Sequence, residues 1–216
     1  MSAPHSGVVA ATAAQLDRRR AALRAGAGRV GWKLALDIPE IEAVIGDAPA
    51  LGHLTTATLL EDGASFDASA VRSPRAETEL ALIVGPGGSV AGYAVALELV
   101  DVARPPDDLE GIVEANVFHR AVAFGPVRTA PPEPDAHGRA IVDGRVRAEA
   151  SLRADPTVVV DTVAGLLAAH GERLQPGDRL LTGAVTHVPV APGEAVIAEI
   201  DGLGRVAAKM RASPPD

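Results

Sequence analysis

The chain has 216 residues, 47% hydrophobic but only 2% aromatic, with no cysteine and a formal net charge of −8. That length and apolar content suit one large domain or two small ones, with a core of Ala, Val, Leu and Ile. The composition excludes disulfides, thiolate catalysis, iron–sulfur clusters and Cys-based zinc sites, and argues against a general nucleic-acid binder or an aromatic stacking platform.

Residues 8–25 are rich in Ala, Leu and Arg and free of Gly and Pro, which predicts a helix ended by Gly26-Ala-Gly28. Its basic cluster, Arg18-Arg19-Arg20, reads as a solvated face. The arginines follow the alanine-rich stretch, the reverse of a signal peptide. No apolar run approaches the length of a membrane span. A soluble cytoplasmic protein is expected, with no membrane and no nucleic acid as partner. Arg29 to Leu36 is a strand candidate, and Pro39 to Ile45 a short helix. From Gly52 to Val100 the texture is β. A strand is expected over Leu54 to Leu60, then two apolar runs, Arg75 to Val84 and Ala94 to Val100. The short turn Gly85-Pro-Gly-Gly88 makes those two runs candidate antiparallel neighbours.

Asp107-Asp108 provide an N-cap for a helix over 109–121. A proline-rich loop follows over 129–138, and then a hairpin over 140–149 with Asp143-Gly144 at its tip. Asp155-Pro156 opens a helix that stops at Gly171. Strands are expected over 179–182, 195–200 and 205–210, separated by Pro176-Gly-Asp178, Pro192-Gly-Glu194 and Asp201-Gly-Leu-Gly204. The prediction is one β-rich α+β fold. It comprises a helical N-terminal segment over 1–30, a main domain over 31–210 with two further helices, and a disordered tail over 211–216.

Two apolar runs carry acids. Glu77 and Glu79 open the first, and Glu98 sits inside the second. A lone carboxylate in a buried strand is costly. Residues two apart face the same side of a strand, so Glu77 and Glu79 project together while Thr78, Leu80 and Leu82 pack the other way. If the strands are neighbours, three carboxylates converge. Hard oxygen donors without His or Cys suit Mg²⁺, Mn²⁺ or Ca²⁺. Glu-x-Glu alone is common on solvated strands; Glu98 in its apolar run counts against that plain reading. Lys33 is a second anomaly, a cation in an apolar segment. It suits an anionic substrate group or a general base of depressed pKa, against the plain alternative of a snorkelling strand end.

The order Gly31-Trp-Lys-Leu, Gly52-x-Leu, Pro74-Arg-Ala-Glu-Thr-Glu-Leu-Ala and Leu97-Glu-Leu-Val-Asp101 resembles the 2-keto-4-pentenoate hydratases of the fumarylacetoacetate hydrolase superfamily. Asn116 before Phe124-Gly-Pro126, Asp155-Pro156, Leu180-Leu-Thr-Gly183, Pro192-Gly-Glu194 and Gly202-Leu-Gly204 continue that order. The resemblance covers residues 31–210. It implies a mixed β-roll, Mg²⁺ or Mn²⁺ held by Glu77, Glu79 and Glu98, and a homo-oligomer. The substrate implied is a small 2-oxo acid, chelated through its carboxylate and keto oxygen so that an enolate-like intermediate is stabilised. Lys33 matches the family's active-site lysine. By position, Leu54, Thr182 and Gly183 would border the substrate, and His53 is a candidate contact.

The family often carries an acid after Gly-x-Leu; here Thr55-Thr-Ala-Thr58 stands instead, with Thr56 at the acid's position. His119 and His170, on or at the end of expected helices, and His5 and His137 are expected to be structural or solvated; the role of His187, after the Thr182-Gly183 loop, is open. Arg104 is expected in a surface ion pair. The leading function is a metal-dependent hydratase. The alternatives are a 2-oxo diacid decarboxylase or an acylpyruvate-type C–C hydrolase, and, in another class, a catalytically impaired member serving as a partner of another enzyme.

Overall fold

The computed structural model describes residues 6–35, 50–105, 107–153 and 155–212. The short helix expected at Pro39 to Ile45 and most of the expected tail lie outside the described residues. In chain order the elements are α1 (Ser6–Arg24), β1 (Arg29–Ala35), β2 (Ala50–Thr55), β3 (Leu59–Leu60), β4 (Ser65–Asp67), β5 (Pro74–Val84), β6 (Val90–Asp101), α2 (Leu109–Glu114), β7 (His119–Phe124), β8 (His137–Val142), β9 (Arg145–Ser151), α3 (Pro156–Ala168), β10 (Arg179–Pro189), β11 (Ala195–Ile200) and β12 (Gly204–Arg211). A seven-stranded mixed sheet has the order β2-β1-β10-β5-β6-β7-β3, and a second sheet the order β4-β12-β11-β8-β9. The first sheet curls into a half-barrel. The α+β expectation holds.

The main core lies between the sheets. Leu80 and Leu82 of β5 and Leu97 and Leu99 of β6 pack there with Val196, Ala198, Ile200, Val206 and Ala208 of the second sheet. The opposite face of the large sheet carries a smaller apolar cluster of Val30, Leu54, Ala81, Ala94, Ala96, Val122 and Leu181, with Phe124 against it. This is the face to which Glu77 and Glu79 alternate. β5 and β6 are antiparallel neighbours with Glu77 opposite Glu98 and Glu79 opposite Ala96. Near their turn, Val84 pairs with Val90 but Ile83 pairs with Gly92, so Ala91 is an extra residue on β6.

Four expectations are corrected. The strand over Leu54 to Leu60 breaks at the threonines, where Thr58 N–H donates to Thr55 O and the chain turns. The helix from Leu109 ends at Glu114, not 121. Asn116, Val117 and Phe118 take left-handed φ values of 64°, 50° and 63°, and the chain leaves as strand β7. The Asn116 side chain anchors this reversal by accepting from His53 N–H at 2.8 Å and donating to His53 O at 2.9 Å. β10 runs on to Pro189, with irregular register between Leu181 and Thr186 around Gly183, whose φ of 103° suits glycine. Last, Arg19 is not solvated: it is 2% exposed and lies 4.3 Å over the Trp32 ring. Its neighbours pair outward, Arg18 with Glu114 and Arg20 with Glu172.

Candidate metal centre

The β5–β6 register brings three acids together. Ligand atoms of Glu77, Glu79 and Glu98 all lie within 4.8 Å of one another. Each carboxylate is also tethered by a protein donor. Gly183 N–H donates to Glu79 Oε2 at 2.8 Å, and His187 Nδ1 to Glu77 Oε1 at 2.8 Å. Glu98 Oε1 accepts from Lys33 Nζ at 2.6 Å and from His119 Nδ1 at 2.7 Å. Its other oxygen, Oε2, is buried with no nitrogen or hydroxyl donor among the described residues, and the Glu79 carboxyl is close enough to Glu98 to share a proton with it. One oxygen fixed and the other buried without such a donor is the arrangement of a carboxylate prepared for a cation.

The electrostatics agree. Burial, then the charges of Glu98 and Glu77, push the Glu79 carboxyl well above the usual range. Burial also acts to raise Glu98, but Lys33 and His119 outweigh it and hold Glu98 at about 2. Burial acts to lower Lys33, and the charges of Glu98, Glu77 and Glu79 overcome it, so its pKa is raised. That direction is opposite to what a general-base lysine needs; Lys33 is a cation and proton donor in this setting. The donor set fits a hard divalent cation such as Mg²⁺ or Mn²⁺: three carboxylates, no sulfur, and one buried oxygen without a nitrogen or hydroxyl donor among the described residues.

Lys33 is 4% exposed on β1 and also donates to Val117 O at 3.1 Å, so the left-handed segment after α2 supports it. A Cβ at Gly52 would collide with Lys33 Cγ, which keeps that neighbour a glycine. Leu54 is buried on the carboxylate face. Thr182 is buried, its hydroxyl without a partner among the described residues, and Gly183 spends its N–H on Glu79. Thr56 is exposed, and its hydroxyl accepts from Gly28 N–H at 2.7 Å. Thr58 instead meets the site: its hydroxyl and His119 Nε2 share a hydrogen bond of 2.8 Å, while Nδ1 of the same ring faces Glu98. Arg104 pairs with Asp108 on the surface, as expected.

His119 is the residue that sequence reasoning missed. Assigned to a helix, it looked structural. It belongs to β7, whose pairing with β6 sets Val122 opposite Glu98. The only available signal was the β texture of His119 to Phe124 after the polar break at Asn116.

His53 lies beside this cluster. Burial, with the charges of His119 and Arg19 adding to it, lowers its pKa to about 4. The unfolded chain takes up this proton near pH 6.5, the folded chain only near 4. Folded stability is therefore expected to fall as pH drops from about 6.5 to about 4. His53→Gln should flatten that part of the profile, measured as melting temperature against pH. An unchanged acid slope would show that His53 is not held neutral.

Among the described residues no helix is long and apolar enough to cross a membrane. A curated relative, the 4-oxalocrotonate decarboxylase of Pseudomonas putida, is 27% identical over 220 residues, covering 90% of this chain and 82% of the relative. The 4-oxalocrotonate decarboxylase from Pseudomonas putida G7, solved with magnesium and adipate, superposes with a TM-score of 0.80 at 24% identity, covering 93% of this chain and 84% of that one. A fumarylpyruvate hydrolase from Pseudomonas aeruginosa, solved with Mn²⁺ and pyruvate, gives a TM-score of 0.64 at 20% identity, covering 86% of this chain and 91% of that one. At these identities the superpositions establish the fold. The family model for the fumarylacetoacetate (FAA) hydrolase C-terminal region matches residues 39–211. Most of the chain thus falls within one model, and the protein belongs to the fumarylacetoacetate hydrolase family.

Proposed function

We infer that the protein is a divalent-metal-dependent lyase acting on a small 2-oxo acid, and that its reaction is decarboxylation of a 2-oxo diacid. The observation that carries the metal-dependent part is Glu98, clamped through Oε1 by Lys33 and His119, with Oε2 buried beside Glu77 and Glu79 and without a nitrogen or hydroxyl donor among the described residues. Glu77, Glu79 and Glu98 would hold Mg²⁺ or Mn²⁺. When bound, the cation supplies Lewis-acid polarisation of the ketone and a grip on the neighbouring carboxylate.

The chain's own groups do the rest. Lys33 keeps its proton at Nζ beside Glu98, where it can neutralise charge developing on a substrate oxygen. His119 and Thr58 fix the rotamer of Glu98. Ala81, Ala94, Ala96 and Leu181 make the neighbouring surface apolar and poor in water.

Decarboxylation is favoured over hydration for two reasons. The curated relatives include 4-oxalocrotonate decarboxylases from three Pseudomonas sources at 27–28% identity. Adding water to a diene also needs a group that moves protons to and from carbon and water. The segment from Thr55 to Thr58 offers hydroxyls, and Thr56 turns its own to Gly28.

The test is a paired assay with 2-oxo-3-enedioates, followed by CO₂ release, and 2-hydroxydienoates, followed at the dienol absorbance. Metal-dependent CO₂ release, abolished by EDTA and restored by Mg²⁺, is expected, with hydration slower. Faster hydration would return the protein to the hydratases. No metal-dependent turnover of either substrate would favour the impaired-partner alternative.

A further inference from the structure

The second sheet turns one face into the core, through Val142, Val196, Ala198, Val206 and Ala208. The residues that alternate with these point the other way. The helices pack on the large sheet, α1 and α2 against β2 and α3 against β1, β10 and β6. The outer face of the second sheet is left to solvent among the described residues.

Strand register sets the outward residues in rows. Ala207, Ile197, Ile141 and Val146 stand opposite one another in turn across β12, β11, β8 and β9. Two residues along each of β12, β11 and β8, the next row is Arg205, Glu199, Arg139 and Glu149. An apolar row thus crosses the sheet beside a row of alternating charge. Arg147 is an extra residue in β9, since Ala140 pairs with Ala148 but Ile141 with Val146. Without it Val146 would fall opposite Val142, on the core side. At 55% exposure Val146 is the most open large apolar side chain on any described strand. The charged row is held in place, because Arg139 meets Glu149 at 2.9 Å, Glu199 at 3.5 Å and Asp201 at 2.6 Å.

We propose that this face docks a second copy of the chain about a two-fold axis lying in the interface, parallel to the strands, between β11 and β8. Such an axis lays each row on its own copy in reverse order. Arg205 then meets Glu149 of the second copy, and Glu199 meets Arg139. In the apolar row Ala207 meets Val146 and Ile197 meets Ile141, so small opposes large at the ends. The pattern selects this axis: one running along the charged row would set Arg205 on Arg205 and Glu149 on Glu149. Strands of the two sheets would lie within about 30° of each other, the ordinary angle for aligned sheets. A face of four strands, six residues deep, measures about 20 by 20 Å. That is small for a permanent interface and predicts a dissociation constant in the micromolar range.

The experiment is sedimentation velocity of the full chain from about 1 to 200 µM. Salt is kept near about 50 mM, since exposed charge pairs are screened above that. Wild type is expected to associate across this range. Ile197→Glu, which puts an acid in the middle of the apolar row, should sediment at half the wild-type mass or less. Arg205→Glu creates two like-charge contacts across the axis and Glu149→Arg creates two others. Each should weaken association by about tenfold or more. An equimolar mixture of those two variants should recover it. In a mixed dimer the two swapped charges meet each other, and so do the two native ones. No change within a single chain produces that recovery, and both positions are exposed, so the mixture decides even if Ile197→Glu fails to fold. A wild type that stays monomeric, an assembly unmoved by a folded Ile197→Glu, or a mixture no stronger than its parts would overturn the proposal. None of these outcomes bears on the metal centre.

Discussion

Glu98→Gln is expected to abolish cation binding and also to destabilise the metal-free protein, whereas Glu79→Gln abolishes binding alone. Glu98 is fully buried, and its Oε1 is the counter-charge of Lys33, itself 4% exposed. Removing one member of a buried pair leaves the other's charge uncompensated, at a cost on the order of 3–5 kcal/mol. Glu79 is different. Burial and the like charges of Glu98 and Glu77 already push it toward its neutral form, so an amide resembles what the metal-free protein holds there. Either substitution removes an anionic donor from a three-carboxylate set. Turnover should fall about a thousandfold, because Lewis-acid stabilisation is worth several kcal/mol. Calorimetric titration with Mg²⁺ and urea unfolding in EDTA read the two effects separately. Equal stability of the variants would show that Lys33 does not depend on Glu98. Undiminished Mg²⁺ binding in either would remove that residue from the ligand set.

Lys33→Met is expected to lower turnover by about a hundredfold or more while Mg²⁺ affinity at neutral pH changes by less than roughly tenfold. Lys33 offers no ligand atom. Its contribution is a proton and a positive charge, fixed between Glu98 Oε1 and Val117 O. Methionine fills most of the volume of the stem without either. The variant also has a pH signature. In wild type the ammonium offsets the burial of Glu98 and holds it at about 2. Without the ammonium, burial raises the Glu98 pKa, so the carboxylate takes up a proton at a higher pH. Mg²⁺ affinity should therefore begin to fall, on lowering the pH, earlier in the variant than in wild type. Loss of affinity in step with turnover at neutral pH would make Lys33 a support of the metal site and nothing more.

Much of this site was legible in the sequence because its key spacings are local. Glu77 and Glu79 share a face by strand alternation, and Glu98 was conspicuous as an acid in an apolar run. The turn from Gly85 to Ser89 made the pairing of β5 with β6 a short-range inference. What stayed hidden depends on long-range pairing. His119 reaches Glu98 only because β7 lies beside β6, and the helix expected there concealed that strand. Its reversal at Asn116 to Phe118 uses left-handed backbone in an Asn, a Val and a Phe, which no propensity predicts for the last two. Arg19 looked solvated because its three-arginine run is polar; its burial comes from Trp32, a residue of another element.

The extra residue in β6 has a consequence for how the site is encoded. From Val84–Val90 the pairing would run on without interruption to Glu77–Leu97, and Glu98 would point into the core between the sheets. Ala91 advances β6 by one, and Glu77 meets Glu98 instead. A small, exposed side chain seven residues before Glu98 thus acts as a parity bit for the whole strand. It decides whether Leu97 and Leu99 or Glu98 share a side with Glu77 and Glu79. The candidate metal centre is specified as much by the count of residues in the β5–β6 turn region as by the carboxylates, so a single deletion there is expected to edit the chemistry of the site from its far end.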